Sequence, residues 1–310
     1  MRVSIIVPTY NNLEYLKFLI YSLKKNSNYN HQIILHINDG LDGTLEFAKK
    51  NNIQFSCSSE NIGLCKSLNK AANLVNTNYI LYSHDDMFFC KDWDLYLEKV
   101  VKKFNDNLFY LSGTNVSYKD GLIKYNCGST PEDFDEKKFD NFCETDNSKD
   151  LQGSHWAPHL VHKEMWEKVG GFSEEFNPGD GSDPDFCMKL WNNKVRIFKT
   201  ISKFKVYHFG SITTRKSNVK LNNGTKTFLL KFGFNPRFFR KYYLKGEKVE
   251  IYNGPLEDPG FSFNILYDLV INKFKYLYHY MVSKKWIRSL YQESQMVLEI
   301  KCSYMLHHMF

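Results

Sequence analysis

From Val3 to Phe104 the sequence alternates between short β-favouring runs and longer segments of helical period. Val3 to Val7 is a continuous β-branched run, as a parallel strand buried on both faces requires, and Pro8 to Asn12 breaks it. The spacing of Leu16, Leu19, Ile20 and Leu23 predicts a helix over 13–25. Strands are then expected at 32–37, 53–57, 79–83 and near 109–113, and helices at 44–51, 64–75 and 91–104. This alternation implies a largely parallel sheet joined by right-handed crossovers. Such sheets bind ligands beyond the carboxyl ends of their strands. Thr9, Asp39, Asn61 and the pair Asp85-Asp86 all fall at those ends.

The pair at 85–86 carries the most chemistry. Two carboxylates side by side at the end of an apolar strand repel, so they need solvent, a cationic partner or a metal. A divalent ion with oxygen ligands satisfies them, and such ions commonly accompany phosphate-bearing substrates. A strand followed by a plain acidic turn is the simpler alternative.

With 310 residues and 43% hydrophobic content, the chain can bury a large core and is not disordered by composition. A net charge of +7 suits an anionic partner, a nucleotide diphosphate or an acidic membrane surface. No recognition motif for nucleic acid accompanies that charge, so no nucleic-acid partner is expected. The seven cysteines are scattered without CxxC spacing, which predicts reduced thiols rather than a zinc site. No secretory signal and no membrane-spanning run is visible, so a cytoplasmic protein is expected.

Beyond Phe104, residues 119–150 are polar and read as a long excursion contributing to an acceptor site. A helix is expected over 160–169, stopped by Gly170-Gly171, and another over 183–192. Residues 195–198 and 205–207 read as edge strands. After Lys216 the chain turns basic and aromatic, and 261–310 reads as helical. Lys273, Lys275, Lys284 and Lys285 among many aromatics fit either an amphipathic surface for anionic lipid or a helix docked on the core.

Between Val3 and Thr214 these motifs, in this order, resemble the family 2 glycosyltransferases. The matching segments are Val3 to Asn11, Asn38-Asp39-Gly40 to Thr44, Asn61-Ile62-Gly63 with Asn69, and Ser83 to Asp86. Trp166 to Phe172 and Gly181 to Phe186 complete the series. The resemblance implies a GT-A fold, that is, a Rossmann-like α/β/α sandwich with a mixed, largely parallel sheet. It implies a domain over 1–216, with a nucleotide half (1–104) and an acceptor half (105–216), and a helical extension over 217–310. Two positions depart from the family pattern: Ser83 or His84 stands where the first Asp of a DxD motif is usual, and Ser182 replaces the Glu of a Glu-Asp pair.

By the same resemblance Asp39 accepts the imide N–H of a uracil or thymine ring, although an Asx-turn also suits it. Pro8, Thr9, Tyr10 and Asn11 line the base and ribose, with simple packing the alternative for Tyr10. Asn61 and Gly63 open a helix whose N-terminus faces the nucleotide or is merely capped. Asp85 and Asp86, with His208, are expected to hold Mn²⁺ or Mg²⁺ on the diphosphate; Asp85 also counts among the donor contacts. Asp183 is the expected catalytic base, against an N-cap role, with Asp185 as alternative base or acceptor contact. His155 and Trp156 approach the donor sugar or acceptor, and Arg215 and Lys216 close over the diphosphate.

The implied activity is inverting transfer from a UDP- or dTDP-sugar to a hydroxyl of a glycan, lipid-linked or protein acceptor. The C-terminal extension adds scope for peripheral membrane contact. The alternatives are a non-catalytic nucleotide-sugar or glycan-binding module and a sugar-phosphate nucleotidyltransferase. The latter would carry a Gly-rich loop with a nearby Lys after the first strand, which this sequence lacks.

Overall fold

A computed structural model describes residues 1–210, 222–246, 249–282 and 284. Its centre is one ten-stranded sheet. In chain order the strands are β1 (Ser4–Tyr10), β2 (Gln32–Asn38), β3 (Gln54–Ser58), β4 (Tyr79–Tyr82), β5 (Met87–Phe89), β6 (Phe109–Ser117), β7 (Ile123–Lys124), β8 (Leu151–Gln152), β9 (His159–His162) and β10 (Ile197–His208). The spatial order is β3-β2-β1-β4-β9-β6-β10-β5, with β7 beside β6 and β8 beside β10. Strands β3, β2, β1 and β4 run parallel, whereas β9 is antiparallel to both β4 and β6. The sheet is therefore mixed and largely parallel, the GT-A architecture.

The first helices follow the expected pattern. Helix α1 (Leu13–Asn26) buries Leu16, Leu19, Ile20 and Leu23. Its start is held from a distance: the Leu13 N–H donates to Asp42 Oδ2 at 2.8 Å, while Asp42 Oδ1 accepts from Thr44 at the head of α2 (Thr44–Lys50). One carboxylate thus ties together the loops that follow β1 and β2 and satisfies N–H groups that no helix can pair internally. Helix α3 (Leu64–Ala72) follows β3, and α4 (Trp93–Val101) follows β5.

Two expectations need correction. The expected helix over 160–169 begins as strand β9, whose four residues are all buried, and only Lys163–Val169 forms helix α6. A short apolar run fits a buried strand or a buried helix equally, and here pairing with β4 decides. The two expected edge strands near residues 195–207 are one strand, β10, lying between β6 and β5 with a bulge between Ile201 and Lys205. Lysines on a strand usually mark an edge. Here they are neutralised instead: Lys199 pairs with Asp150 at 2.6 Å, and fully buried Lys205 with Asp146 at 2.9 Å. The excursion at 119–150, which also contains helix α5 (Glu136–Thr145), supplies both carboxylates.

Helix α7 (Ser182–Asn192) carries the expected catalytic segment. Helix α8 (Gly224–Phe232) lies against its start: a Cβ on Gly224 would come within 2.0 Å of the Asp180 carbonyl. Phe239 and Tyr243 pack edge-on against Trp191 of α7. Residues 250–256 then return to the sheet, with Gln152 N–H donating to the Glu250 carbonyl and Leu256 N–H to that of Arg196. The described residues between Asn222 and Leu256 thus pack against the same sheet and helices. Residues 263–282 form one further helix.

Candidate active site

The carboxyl ends of β1, β2 and β4 bring the predicted residues together. Asp85 and Asp86 leave β4 buried, at 5% and 3% exposure. Asn12 Nδ2 donates to Asp85 Oδ1 at 3.0 Å, so Asp85 turns toward the start of α1. Its Oδ2 has no hydrogen-bond partner, nor has the buried Thr9 hydroxyl. The hydroxyl stands close enough to favour the charged carboxylate but lies outside hydrogen-bond geometry. Burial, and then the neighbouring Asp86, still hold Asp85 well above the usual carboxylate range.

Asp86 turns the other way. Its Oδ1 lies 3.2 Å from His208 Nε2 and 4.0 Å from His84 Nδ1, and the two imidazoles approach to 3.3 Å. His84, Asp86 and His208 each offer one ligand atom, all within 4.8 Å of one another. Burial, followed by His208, lowers the pKa of His84 to about 4, which keeps its imidazole neutral and fit to coordinate. The predicted Asp86 and His208 come together here; Asp85 is not part of the cluster, and His84 takes the third place. The signal was in the sequence, since His84 stands two residues before Asp86, at the first position of the DxD pattern.

Two imidazoles and a carboxylate are a donor set that suits Mn²⁺ better than Mg²⁺, which prefers oxygen ligands throughout. The residues present therefore fit a divalent transition ion.

Asp183 is the second residue of α7, and Gly181 rather than Asp183 occupies its N-cap. Asp183 is half-buried, with Oδ1 shut away and without a partner. Burial raises its pKa to about 7. Tyr82, the last residue of β4, connects this carboxylate to the strand ends: its buried hydroxyl feels the charges of Asp183, Asp85 and Asp86. Tyr82 reads in sequence as one more apolar strand residue, so nothing local marks it. Asp183, Asp85 and Asp86 thus all lie within electrostatic range of one buried hydroxyl.

The family model described as glycosyl transferase family 2 matches residues 4–157, from β1 to the turn before β9. The chain belongs to that family. It is a glycosyltransferase, and its GT-A fold is shared with solved structures. The crystal structure of S. aureus TarS 1-349 superposes with a TM-score of 0.52 at 17% identity, covering 77% of this chain and 72% of that one. TarS 1-349 in complex with UDP gives 0.51 at 15% identity with the same coverage. At such identities the likeness is one of fold. No curated protein matches the chain.

The other predicted positions of this glycosyltransferase sit as follows. Asp39 follows β2 in the left-handed region (φ 67°), half-buried, and its Oδ2 accepts from Asn11 Nδ2 at 3.1 Å. Pro8 and Tyr10 are half-buried at the end of β1, and Tyr10 pairs in register with Asn38. Asn61 is exposed and caps its own turn by accepting from the Gly63 N–H at 3.0 Å. Gly63 faces protein: a Cβ there would meet Asn177 Oδ1 at 2.6 Å, and that oxygen already caps α3 by accepting from the Cys65 N–H. The first turn of α3 is thus partly occupied by the loop before α7.

His155 donates from Nδ1 to the Gly153 carbonyl at 3.0 Å, and burial lowers its pKa to about 4. The Trp156 indole donates to the Gly113 carbonyl at 3.2 Å, and its ring meets His155 edge-on. Asp185 is fully buried and pairs with Lys231 of α8 at 2.7 Å, a structural contact. Arg215 and Lys216 lie outside the described residues.

Proposed function

We propose that this glycosyltransferase moves a sugar from a UDP- or dTDP-linked donor to an acceptor hydroxyl, with inversion at the anomeric carbon. The observation that carries the reading is Asp183, a half-buried carboxylate with a shut-off, unpartnered oxygen and a pKa raised to about 7. A group poised near the working pH is suited to accept a proton. The acceptor oxygen attacks the anomeric carbon, the bond from that carbon to the phosphate oxygen breaks, and the acceptor proton passes to Asp183. The nucleoside diphosphate departs on the opposite face.

Asp39 serves the base. Asn11 holds one of its carboxylate oxygens, and the other accepts the imide N–H of uracil or thymine. The UDP complex of TarS, a protein of the same fold, agrees with uracil. His84, Asp86 and His208 hold a divalent cation, Mn²⁺ in preference to Mg²⁺. When bound, it supplies positive charge to the departing diphosphate. Asn12 fixes the orientation of Asp85 beside the donor. The acceptor is a glycan, a lipid-linked sugar or a protein side chain, and the setting is biosynthesis of a glycan in the cytoplasm.

The test is calorimetry and turnover with UDP-, dTDP- and GDP-sugars in Mn²⁺, Mg²⁺ or EDTA. One uracil or thymine donor is expected to bind and turn over best with Mn²⁺. Asp183→Asn should retain donor binding and lose transfer, while His84→Ala should weaken Mn²⁺ binding itself. Equal binding of a GDP-sugar, or unchanged turnover in Asp183→Asn, would overturn the reading.

A further inference from the structure

The helix at 263–282 is fastened on one side only. Asp268 accepts from Lys241 Nζ at 2.9 Å and from the Tyr242 hydroxyl at 2.6 Å. The Asn272 side chain, on a residue 3% exposed, accepts from the Asn235 N–H at 2.9 Å. These two residues, four apart, define the face toward the body of the protein.

The opposite face carries a different pattern. Phe263, Tyr267, Val270, Phe274, Leu277 and Met281 recur in alternating steps of four and three, which aligns them in one stripe. All are exposed: Phe263 at 83%, Phe274 at 69% and Tyr267 at 68%. Among the described residues nothing covers this stripe. A contiguous apolar face of this kind marks an interaction surface.

Charge selects the partner. Asp268 is the only carboxylate in 263–282, and it is turned inward. Lys273 and Lys284 border the stripe, with Lys284 over the Tyr280 ring, and exposed Lys275 adds charge further round the helix. The following sequence adds Lys285 and Arg288 before the next carboxylate, Glu293. A stripe of Phe and Tyr bordered by lysines matches a helix lying in a lipid interface, aromatic side down and ammonium groups among anionic headgroups. A second copy of the chain fits less well. Paired helices prefer Ile, Val and Leu along the seam, whereas Phe263, Tyr267 and Phe274 hold half of this one. No helix among the described residues is long and apolar enough to cross a membrane, so the contact is one of surface attachment.

We propose that the helix at 263–282 docks this glycosyltransferase on an anionic lipid surface through the Phe263–Met281 stripe. The full chain is to be sedimented with vesicles of phosphatidylcholine alone and of phosphatidylcholine mixed with phosphatidylglycerol. Binding is expected to be about tenfold stronger to the anionic vesicles and to weaken as salt is raised. Phe274→Ser with Leu277→Ser should abolish it, and Lys273→Gln with Lys284→Gln should remove the preference for anionic lipid. The substituted residues are exposed, and calorimetric binding of the donor checks that each variant is folded. Failure of the wild type to bind either vesicle, or binding unchanged in both variants, would overturn the proposal. So would a concentration-dependent dimer that Phe274→Ser dissolves, because the stripe would then belong to a second copy.

Discussion

Lys231 Nζ lies 2.7 Å from Oδ1 of Asp185, a carboxylate with no surface open to solvent. The ammonium arrives off the hydrogen-bonding direction, so the contact is an ion pair held by charge and proximity. The same ammonium donates to Ser173 Oγ and Glu175 Oε1. Lys231 comes from α8, after the expected domain boundary, whereas Asp185 stands two residues beyond Asp183 on α7. The extension thereby fastens the helix that carries the proposed base.

Lys231→Met is expected to cost about 3 kcal/mol of stability, because it strands a buried charge whose other cation, Lys189, is 3.9 Å away. Urea denaturation measures this. A loss below about 1 kcal/mol would place the pair among contacts that contribute little.

Asp183 must be ionised to accept a proton, and burial has raised its pKa to about 7. The rate of transfer at limiting substrate should therefore climb tenfold per pH unit up to about pH 7, then level off. A rate flat from pH 5 to pH 8 would assign the proton to another group; kcat/KM against pH decides.

The same shift sets a stability cost with the opposite sense. A carboxylate whose folded pKa lies above its unfolded value favours folding at low pH and loses that contribution as pH rises through about 7. Asp183→Asn should accordingly melt higher than wild type at pH 8, and the gap should close below about pH 4. Melting curves for both proteins at the two pH values test it; a variant less stable at pH 8 would contradict a strained, buried carboxylate.

The Asn38 amide, at the end of β2, is fully used. Nδ2 donates to the Thr9 carbonyl at 3.3 Å and to Ser67 Oγ at 3.0 Å, while Oδ1 accepts from the Ile62 N–H at 3.0 Å. Asn38→Asp puts a second acceptor against the Thr9 carbonyl and buries a charge. A loss of about 2 kcal/mol or more is expected in chemical denaturation. Unchanged stability would mean that the loops after β1 and β3 reorganise freely around this position.

The strand–helix alternation was legible because it is local. Continuous β-branched runs such as Val3 to Val7, and the spacing of Leu16, Leu19, Ile20 and Leu23, place apolar groups on faces that must be buried. The parallel topology then puts Thr9, Asp39 and Asp85-Asp86 at strand ends. What the tertiary structure decided was partnership. It sent Asp85 to Asn12 and Asp86 to His84 and His208, although the two carboxylates are neighbours in sequence. It made an interior strand of the lysine-bearing β10 by supplying Asp146 and Asp150 from a distant loop. It gave Asp185 to Lys231 and left Asp183 with an unpartnered oxygen. Periodicity records which side of an element is buried. The charge, hydrogen bond or empty space that meets a buried polar group comes from chain far away in sequence, so only the assembled fold assigns it.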